Sequence, residues 1–491
     1  MSSPNGVILQ PFQWYGGDRL WKTLSTDAKK LAKQGYTAIW FPPPGKGQGG
    51  VNDVGYGAYD LFDLGEFDQK GAKRTKYGTK KEFTDAVKAV QAAGMQAYID
   101  VVFNHKDGGD DEVVNAQQVD WENRNQAISG WFPIKCYTRF EFPARAGKYS
   151  TMQWHWWHFD AVSYDGFHPE WGSSRLFRLK DKSFSTEVST EHGNYDYLMA
   201  CDLETSNPEV DGELRWWGRW IIDTTGADGF RIDACKHIRA GFFRDWLHHL
   251  RVHFGGRDLF SVGEYWSGDV EELHRYIATT ESVMSLFDVP LHNNFHTASI
   301  SGSNFDMRTI FDRTLAKEEP TLAVTFVDNH DTQPLRSLES WVENWFKPMA
   351  YALILLRQEG YPCVFAGDLS ASHYRDRGHD GNDYDIDLKD HSPIINKLLS
   401  ARHKYNWGPQ VDYFDHPNTI GWTRLGDSKH RLPMAVVMTN GSDGSKWMDV
   451  KKRGRAFVDL TGNVTQKVRT NADGWGNFTC KGGSVSVWVP A

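Results

Sequence analysis

The sequence predicts an α/β protein: a (β/α)8 TIM barrel, an irregular β domain inserted after its third strand, and a C-terminal antiparallel β-sandwich. Three observations carry that expectation. Strand and helix signals alternate through about eight units, the number that closes such a barrel. The alternation stops between residues 104 and 208, a stretch rich in Trp, Gly and Asp and too long for a structureless loop. Beyond about residue 400, helical periodicity gives way to alternating strands separated by Gly, Asn and Asp turns. The expected segmentation is 1–103 and 209–399 for the barrel, 104–208 for the insert and 400–491 for the sandwich.

Val7–Phe12 reads as the first strand, followed by an amphipathic helix over about 19–34 that Gly35 ends as a C-cap. Thr37–Phe41 is the second strand, and a Gly/Pro-rich loop after it carries Tyr56. A helix over about 79–93 leads to the third strand, Ala97–Phe103, which ends in Asn104-His105. After the insert, a helix near 209–225 precedes the strand that ends at Asp233. There Gly229 and Ala234 let the backbone pass close to its neighbours. Helices follow at about 240–254, 269–279, 307–316, 344–358 and 392–405, interleaved with strands at 259–264, 282–288, 322–328 and 361–365.

Composition removes several function classes. The 491 residues carry a net charge of −8 without long runs of one sign, which argues against nucleic acid as a partner. No apolar segment reaches the length of a membrane span. Five cysteines without a CxxC pair read as free thiols, and Met1–Gly6 shows no basic and apolar signal segment, so a cytoplasmic location is expected. A secreted chain trimmed of its signal would read the same way. A monomer is expected. The 21 tryptophans exceed what a core needs, and several (Trp14, Trp266, Trp422, Trp475) sit among polar residues or glycines. Flat amphipathic rings of that kind suit a sugar, with its apolar C–H faces and hydroxyl edges.

The chemistry concentrates where barrel strands end. Asp233 follows the fourth strand, Glu264 the fifth and Asp331 the seventh, with His105 and His330 beside them. Catalytic groups of such barrels come from the C-terminal ends of several strands. Arg231, two residues before Asp233, shares its strand face and favours the ionised aspartate, as a nucleophile requires. Glu264, flanked by Gly263, Tyr265 and Trp266, has the apolar surroundings that keep a carboxyl protonated. Carboxylates without a Ser–His pair or a Cys nucleophile fit glycoside hydrolysis better than acyl transfer.

Four segments then stand in order: Asp100–His105, Gly229–His237, Glu264-Tyr265-Trp266 and Phe326–Asp331. With Trp154–Phe159, Asn194–Met199 and Gly360-Tyr361-Pro362, they make the chain resemble, nearly end to end, the α-amylases of the α-retaining glycoside hydrolase clan, glycoside hydrolase family 13. The likeness is nearest to the bacterial liquefying type and related intracellular enzymes. It implies retaining endo-cleavage of α-1,4-glucans such as starch, glycogen or malto-oligosaccharides. Asp233 would be the nucleophile, Glu264 the acid and then the base, and Asp331 the transition-state stabiliser. It further implies Arg231, His105, His330 and Tyr56 around the sugar being cleaved, with Lys236, His237 and Trp266 on the leaving-group side and Glu191 and Trp14 nearby.

The resemblance also implies a structural Ca²⁺ between barrel and insert, held by Asn104, Asp196, Asp202 and the backbone carbonyl of His237, hard oxygen ligands that suit this ion. Relatives of the liquefying type hold further ions through additional aspartates. This chain has Ser163, Ser185 and Ser206, with Glu204, at the aligned positions, so one calcium and no calcium–sodium–calcium cluster is expected. Pro417 and Asn418 occupy the ligand region of another calcium that some relatives hold. The loop at 370–388, with Arg375, Arg377 and His379, has no counterpart in the resemblance. Two other readings share these residues: a glucan transglycosylase of the same clan, and a glucan-binding protein that has lost activity.

Overall fold

A computed structural model of the protein describes residues 5–491; the first four residues, part of the segment read as lacking a signal, lie outside them. Eight parallel strands close a barrel: Ile8–Gln10, Ala38–Phe41, Gln96–Val101, Gly229–Ile232, Phe260–Gly263, Ser285–Phe287, Ala323–Phe326 and Tyr361–Phe365. These short segments are buried along nearly their whole length, as strands walled by helices must be. Gly229 is required by close approach, since a Cβ there would lie 1.9 Å from the Phe260 carbonyl oxygen. Register places Arg231 directly beside Asp100 on one side and Val262 on the other, which puts the guanidinium at the centre of the strand ends.

Helices on the outside are capped, at Gly35 as expected and elsewhere by side chains. Thr79 and Glu82 form a capping box at the start of Lys80–Ala92, Asn207 caps Pro208–Thr225, and Gly35 ends Leu20–Gln34 at φ 110°. One expectation is corrected. The helix placed near 307–316 is a 3₁₀ turn at Met307–Thr309 and a single α-turn at Leu315–Glu318, whereas the long helix lies earlier, at Val289–Ser301. It begins directly at the end of the sixth strand, with Asp288 as its cap and Pro290 in its first turn. Much of its surface is buried, so its sequence carries little apolar–polar contrast to mark it.

The 104–208 stretch forms an antiparallel six-stranded sheet. Its order is His105–Lys106, Cys201–Leu203, Phe159–Val162, Leu176–Leu179, Asp110–Val119 and Ala127–Arg139. Pairing of Asp202 with His105 ties the end of this stretch to the residues that follow the third barrel strand. The last helix, Ser392–Tyr405, runs past residue 399, and the C-terminal sheet begins at Gln410. Six strands there and a two-stranded sheet enclose Val437, Met448, Phe457, Phe478 and Trp488. Trp422, placed among the sugar-suited rings by its neighbours in sequence, is fully buried and donates Nε1–H to the Leu356 carbonyl at 2.9 Å. Residues 370–388 contain a β-hairpin, Ser372–Arg377 with Asp383–Leu388. All five cysteines are free and buried.

A buried ion cluster pins the loop after the seventh strand. The Lys347 ammonium lies 2.8 Å from Asp328 and bonds Asp368, with all three side chains fully buried. Tyr351 donates to Asp368 at 2.6 Å, and Thr332 donates to Asp328 at 2.9 Å. One ammonium faces two carboxylates, and burial with the Asp368 charge raises Asp328 to about 7 against the pull of Lys347. Removing the cation strands both acids. Lys347→Met is therefore expected to cost about 3–5 kcal/mol in urea unfolding, whereas an exposed Lys81→Met control costs about 0–1.

Candidate active site

Three carboxylates meet on one guanidinium. Arg231 Nη1 donates to Asp100 at 2.9 and 3.1 Å and to Asp233 at 2.6 Å, and its Nη2 lies 2.7 Å from Glu264. The arginine is fully buried and sits 4.8 Å from the Trp40 ring. Asp233 and Glu264 stand just past their strands yet continue the barrel ladder, with Asp233 N–H donating to Val101 and Glu264 N–H to Ile232. Ala234 then turns into the left-handed region at φ 48°, and its N–H donates to the Glu264 carboxylate at 3.1 Å. A non-glycine residue held there stores on the order of 1 kcal/mol of strain, which the small Cβ keeps low.

Asp331 joins from the seventh strand's loop, where Asn329 accepts from the N–H groups of Asp331 and Thr332. His330 Nε2 lies 3.2 Å from the Asp331 carboxylate, and the Gln10 amide lies 2.9 Å from the other ring nitrogen. Burial, with the Arg231 and Arg336 charges, drives the His330 pKa far down, so the ring is neutral. The acids move the opposite way. Burial pushes Glu264 up to about 8 and Asp331 to about 7; Arg231 opposes both shifts, and the Asp233 charge adds to them.

The surrounding sugar-type residues assemble in two groups. Tyr56 donates to Asp100 at 2.8 Å, and its carbonyl is 2.8 Å from His105 Nε2. The rings of Trp14, Tyr56 and His330 lie within 10° of parallel, with centroids 4.9–6.2 Å apart. On the other side Lys236 bonds Glu191 and donates to the Trp266 carbonyl at 2.9 Å. His237 adjoins that group across Tyr195, whose ring centroid lies 5.3 Å from Lys236 Nζ and 4.3 Å from the His237 ring. Its ring bonds the Tyr195 carbonyl at 2.8 Å and burial lowers it to about 3, so it tethers the strand-four loop to the insert as a neutral ring.

Below the cleft is a second acidic site. The ligand oxygens of Asp160, Asp196 and Asp202 lie within 4.8 Å of one another, all buried. Asp160 Oδ1, Asp202 Oδ2 and Asn104 Oδ1 are buried without a partner. Burial and their mutual repulsion push Asp160 and Asp202 far up, and burial takes Asp196 to about 7. Such orphaned hard oxygens fit a Ca²⁺ ion. Lys182 bonds Glu204 at 2.5 Å and acts electrostatically on Asp160, supplying one fixed positive charge at the edge of the cluster.

The catalytic-domain model of the α-amylases matches residues 25–461, and the α-amylase C-terminal model matches 435–489. The chain belongs to the α-amylase family. It is 52% identical to an α-amylase of Geobacillus stearothermophilus, over 99% of this chain and 87% of that one. It is 48% identical to the glucan 1,4-α-maltohexaosidase of Bacillus sp. strain 707, over 99% and 92%. The cytoplasmic α-amylase of Escherichia coli K12 is 42% identical over 99% of both chains. The solved α-amylase of Geobacillus thermoleovorans in complex with acarbose superposes with a TM-score of 0.64 at 15% identity, covering 99% of this chain and 98% of that one, a likeness of fold. Family membership makes the chain a glycoside hydrolase.

Two residues of this site carry no assigned role in the sequence reading. Asp100 is a charge inside the otherwise apolar strand Gln96–Val101, and that incongruity was its signal. Asp160 directly follows the aromatic segment Trp154–Phe159 and gives no such sign, because an acid at a strand start reads as solvated. Replacing Arg231 with Met leaves three acids around an apolar side chain. Its expected cost is about 3–5 kcal/mol in denaturant unfolding at pH 7. The loss is largest above about pH 8, where Glu264 is ionised, and shrinks further as pH falls through about 6, where Asp100 takes up a proton and no longer needs a counter-charge.

Proposed function

We propose that this chain is an endo-acting α-amylase that hydrolyses α-1,4-glucosidic bonds with retention, with Asp233 as nucleophile and Glu264 as acid and base. The single observation that carries the assignment is the sharing of Arg231 by Asp233 and Glu264. Two carboxyls on one guanidinium fit the close spacing of a retaining pair, about 5 Å, in contrast to the wider gap that admits a water.

In the forward step, Asp233 attacks the anomeric carbon while Glu264 gives its proton to the leaving glycosidic oxygen. The C–O bond breaks, and the free end of the glucan departs as an alcohol. Water then attacks the glycosyl ester, losing its proton to Glu264 and restoring both acids. Asp331, with neutral His330 beside it, offsets the positive charge that develops on the ring. Tyr56 offers its ring face to the sugar, and Asp100 fixes that ring through the phenol hydroxyl. Lys236, Glu191 and Trp266 line the leaving-group side. The names of the relatives support α-glucan as the substrate, and that of the E. coli protein supports a cytoplasmic location.

We assign the buried acidic site to one Ca²⁺ held by Asn104, Asp196, Asp202 and the His237 carbonyl, with Asp160 as an added ligand. The ion would neutralise acids that the insert and barrel bring together. Ser163, Ser185 and Ser206 offer neutral hydroxyls where further cations would need carboxylates, which favours a single ion over a cluster.

Four outcomes test this reading. Asp233→Ala should lower kcat at least about 10⁴-fold on a blocked-end malto-oligosaccharide, and near-normal turnover would remove the nucleophile assignment. For wild type, kcat/KM should fall as pH rises through about 8, where Glu264 loses the proton it donates. Calcium should bind more tightly as pH rises through about 7, because Asp196 must be ionised to ligate. EDTA should lower the thermal midpoint and Ca²⁺ restore it, with no change under EDTA counting against the site.

A further inference from the structure

The hairpin Ser372–Arg377/Asp383–Leu388 follows the eighth barrel strand, on the same rim as the catalytic acids, and the resemblance gives it no role. It is fixed to the cleft wall by specific contacts. Tyr374 stacks on Tyr15 at 3.9 Å and 16°, and its hydroxyl donates to the Pro334 carbonyl at 2.8 Å. Asp376 accepts from the Tyr15 hydroxyl and from Arg336 Nη1, the latter at 3.3 Å. Arg336 Nη1 also lies 3.2 Å from the Tyr15 hydroxyl. The guanidinium carbon then stands 3.8 Å over the Trp14 ring, whose plane is parallel to those of Tyr56 and His330.

This arrangement changes what the cleft offers a sugar. An indole face would otherwise be a stacking platform, but here a guanidinium covers it. Arg336 is mostly buried, with its side chain 20% exposed, and it is anchored at Nη1, so its position is fixed before a ligand arrives. We propose that Arg336 is a specificity-determining residue of the glucan cleft on the Trp14–Tyr56 side, and that the hairpin, through Asp376, is the element that positions it. Its free edge meets the hydroxyls of a glucosyl unit beside the one that stacks on Tyr56. With Nε buried and Nη1 anchored, Nη2 is the donor left to meet a sugar hydroxyl, and a lysine would reproduce neither the stack nor this fixed direction.

The inference rests on the amylase reading, and the experiment separates the two. Wild type, Arg336→Gln and Asp376→Asn are compared on a blocked-end maltoheptaoside, with product lengths resolved by mass and thermal midpoints as the folding control. Cleavage by wild type is the prior condition, and its absence would overturn both readings. Arg336→Gln is expected to raise KM about three- to tenfold with kcat within about twofold, as loss of uniform binding does, and to shift the main cleavage position by one glucosyl unit. Asp376→Asn should shift products in the same direction to a smaller extent. Wild-type products and KM in both folded variants would overturn the inference while leaving the amylase reading intact. A shift in Arg336→Gln alone would remove the role of the hairpin.

Discussion

Everything at the mouth of this barrel is organised by one buried guanidinium. Parallel register sets Arg231 beside Asp100, and the following turn brings Asp233 and Glu264 to the same group. A buried ion pair is weak evidence for stability, because desolvation offsets most of the attraction. Its value here is geometric. Arg231 cannot lose its proton under ordinary conditions, and its donors leave in a fixed fork. The carboxylates are therefore held in a plane and at a spacing that side-chain torsions alone would not fix. The strained turn at Ala234 serves the same end by aiming a backbone N–H at Glu264.

Much of this was legible in the sequence, for identifiable reasons. Barrel strands are short apolar runs, so a charge at or near their ends stands out, and Asp233, Glu264 and Asp331 were found that way. Arg231 followed from the two-residue repeat of a strand. Asp100 was visible as a charge but its partner was not, because pairing between the third and fourth strands depends on register across more than a hundred residues. Val289–Ser301 escaped because its period is blurred: His292 and Ser299 are buried polar residues, and Ile300 is an exposed apolar one. His237 illustrates a different limit. Its position beside Lys236 says nothing of ring direction, and the ring turns to Tyr195.

The tryptophans divide in the same fashion. Trp422 follows Gly421 and precedes Thr423 yet is buried, because the whole strand Thr419–Arg424 is buried, and Trp488, between Val487 and Val489, is core as its neighbours suggest. Trp447 is 54% exposed. Trp14 is neither core nor open platform, because Arg336 lies on it. Composition counted the rings, and only tertiary contacts assign their faces.

Charge accounting links the cleft to the acidic site beneath it. Around the cleft stand Asp100, Asp233, Glu264, Asp331 and Asp376, against Arg231 and Arg336, so full ionisation would leave three negative charges in excess. Two like charges 4 Å apart repel by about 4 kcal/mol at an effective dielectric of about 20, enough to move a carboxyl pKa by several units. The excess is relieved by holding protons, and the most strongly raised of these acids, Glu264, is the one whose chemistry needs a proton. Asp160, Asp196 and Asp202 present a similar excess, offset by Arg124, which acts on Asp196 and Asp202, and by Lys182, which acts on Asp160 but is paired with Glu204. Protons would relieve it too, but Asp202 Oδ2 and Asn104 Oδ1 would remain buried without partners. A divalent cation would satisfy both the charge and the orphaned oxygens, so on the proposed assignments one kind of imbalance suits an acid catalyst in one site and an ion in the other.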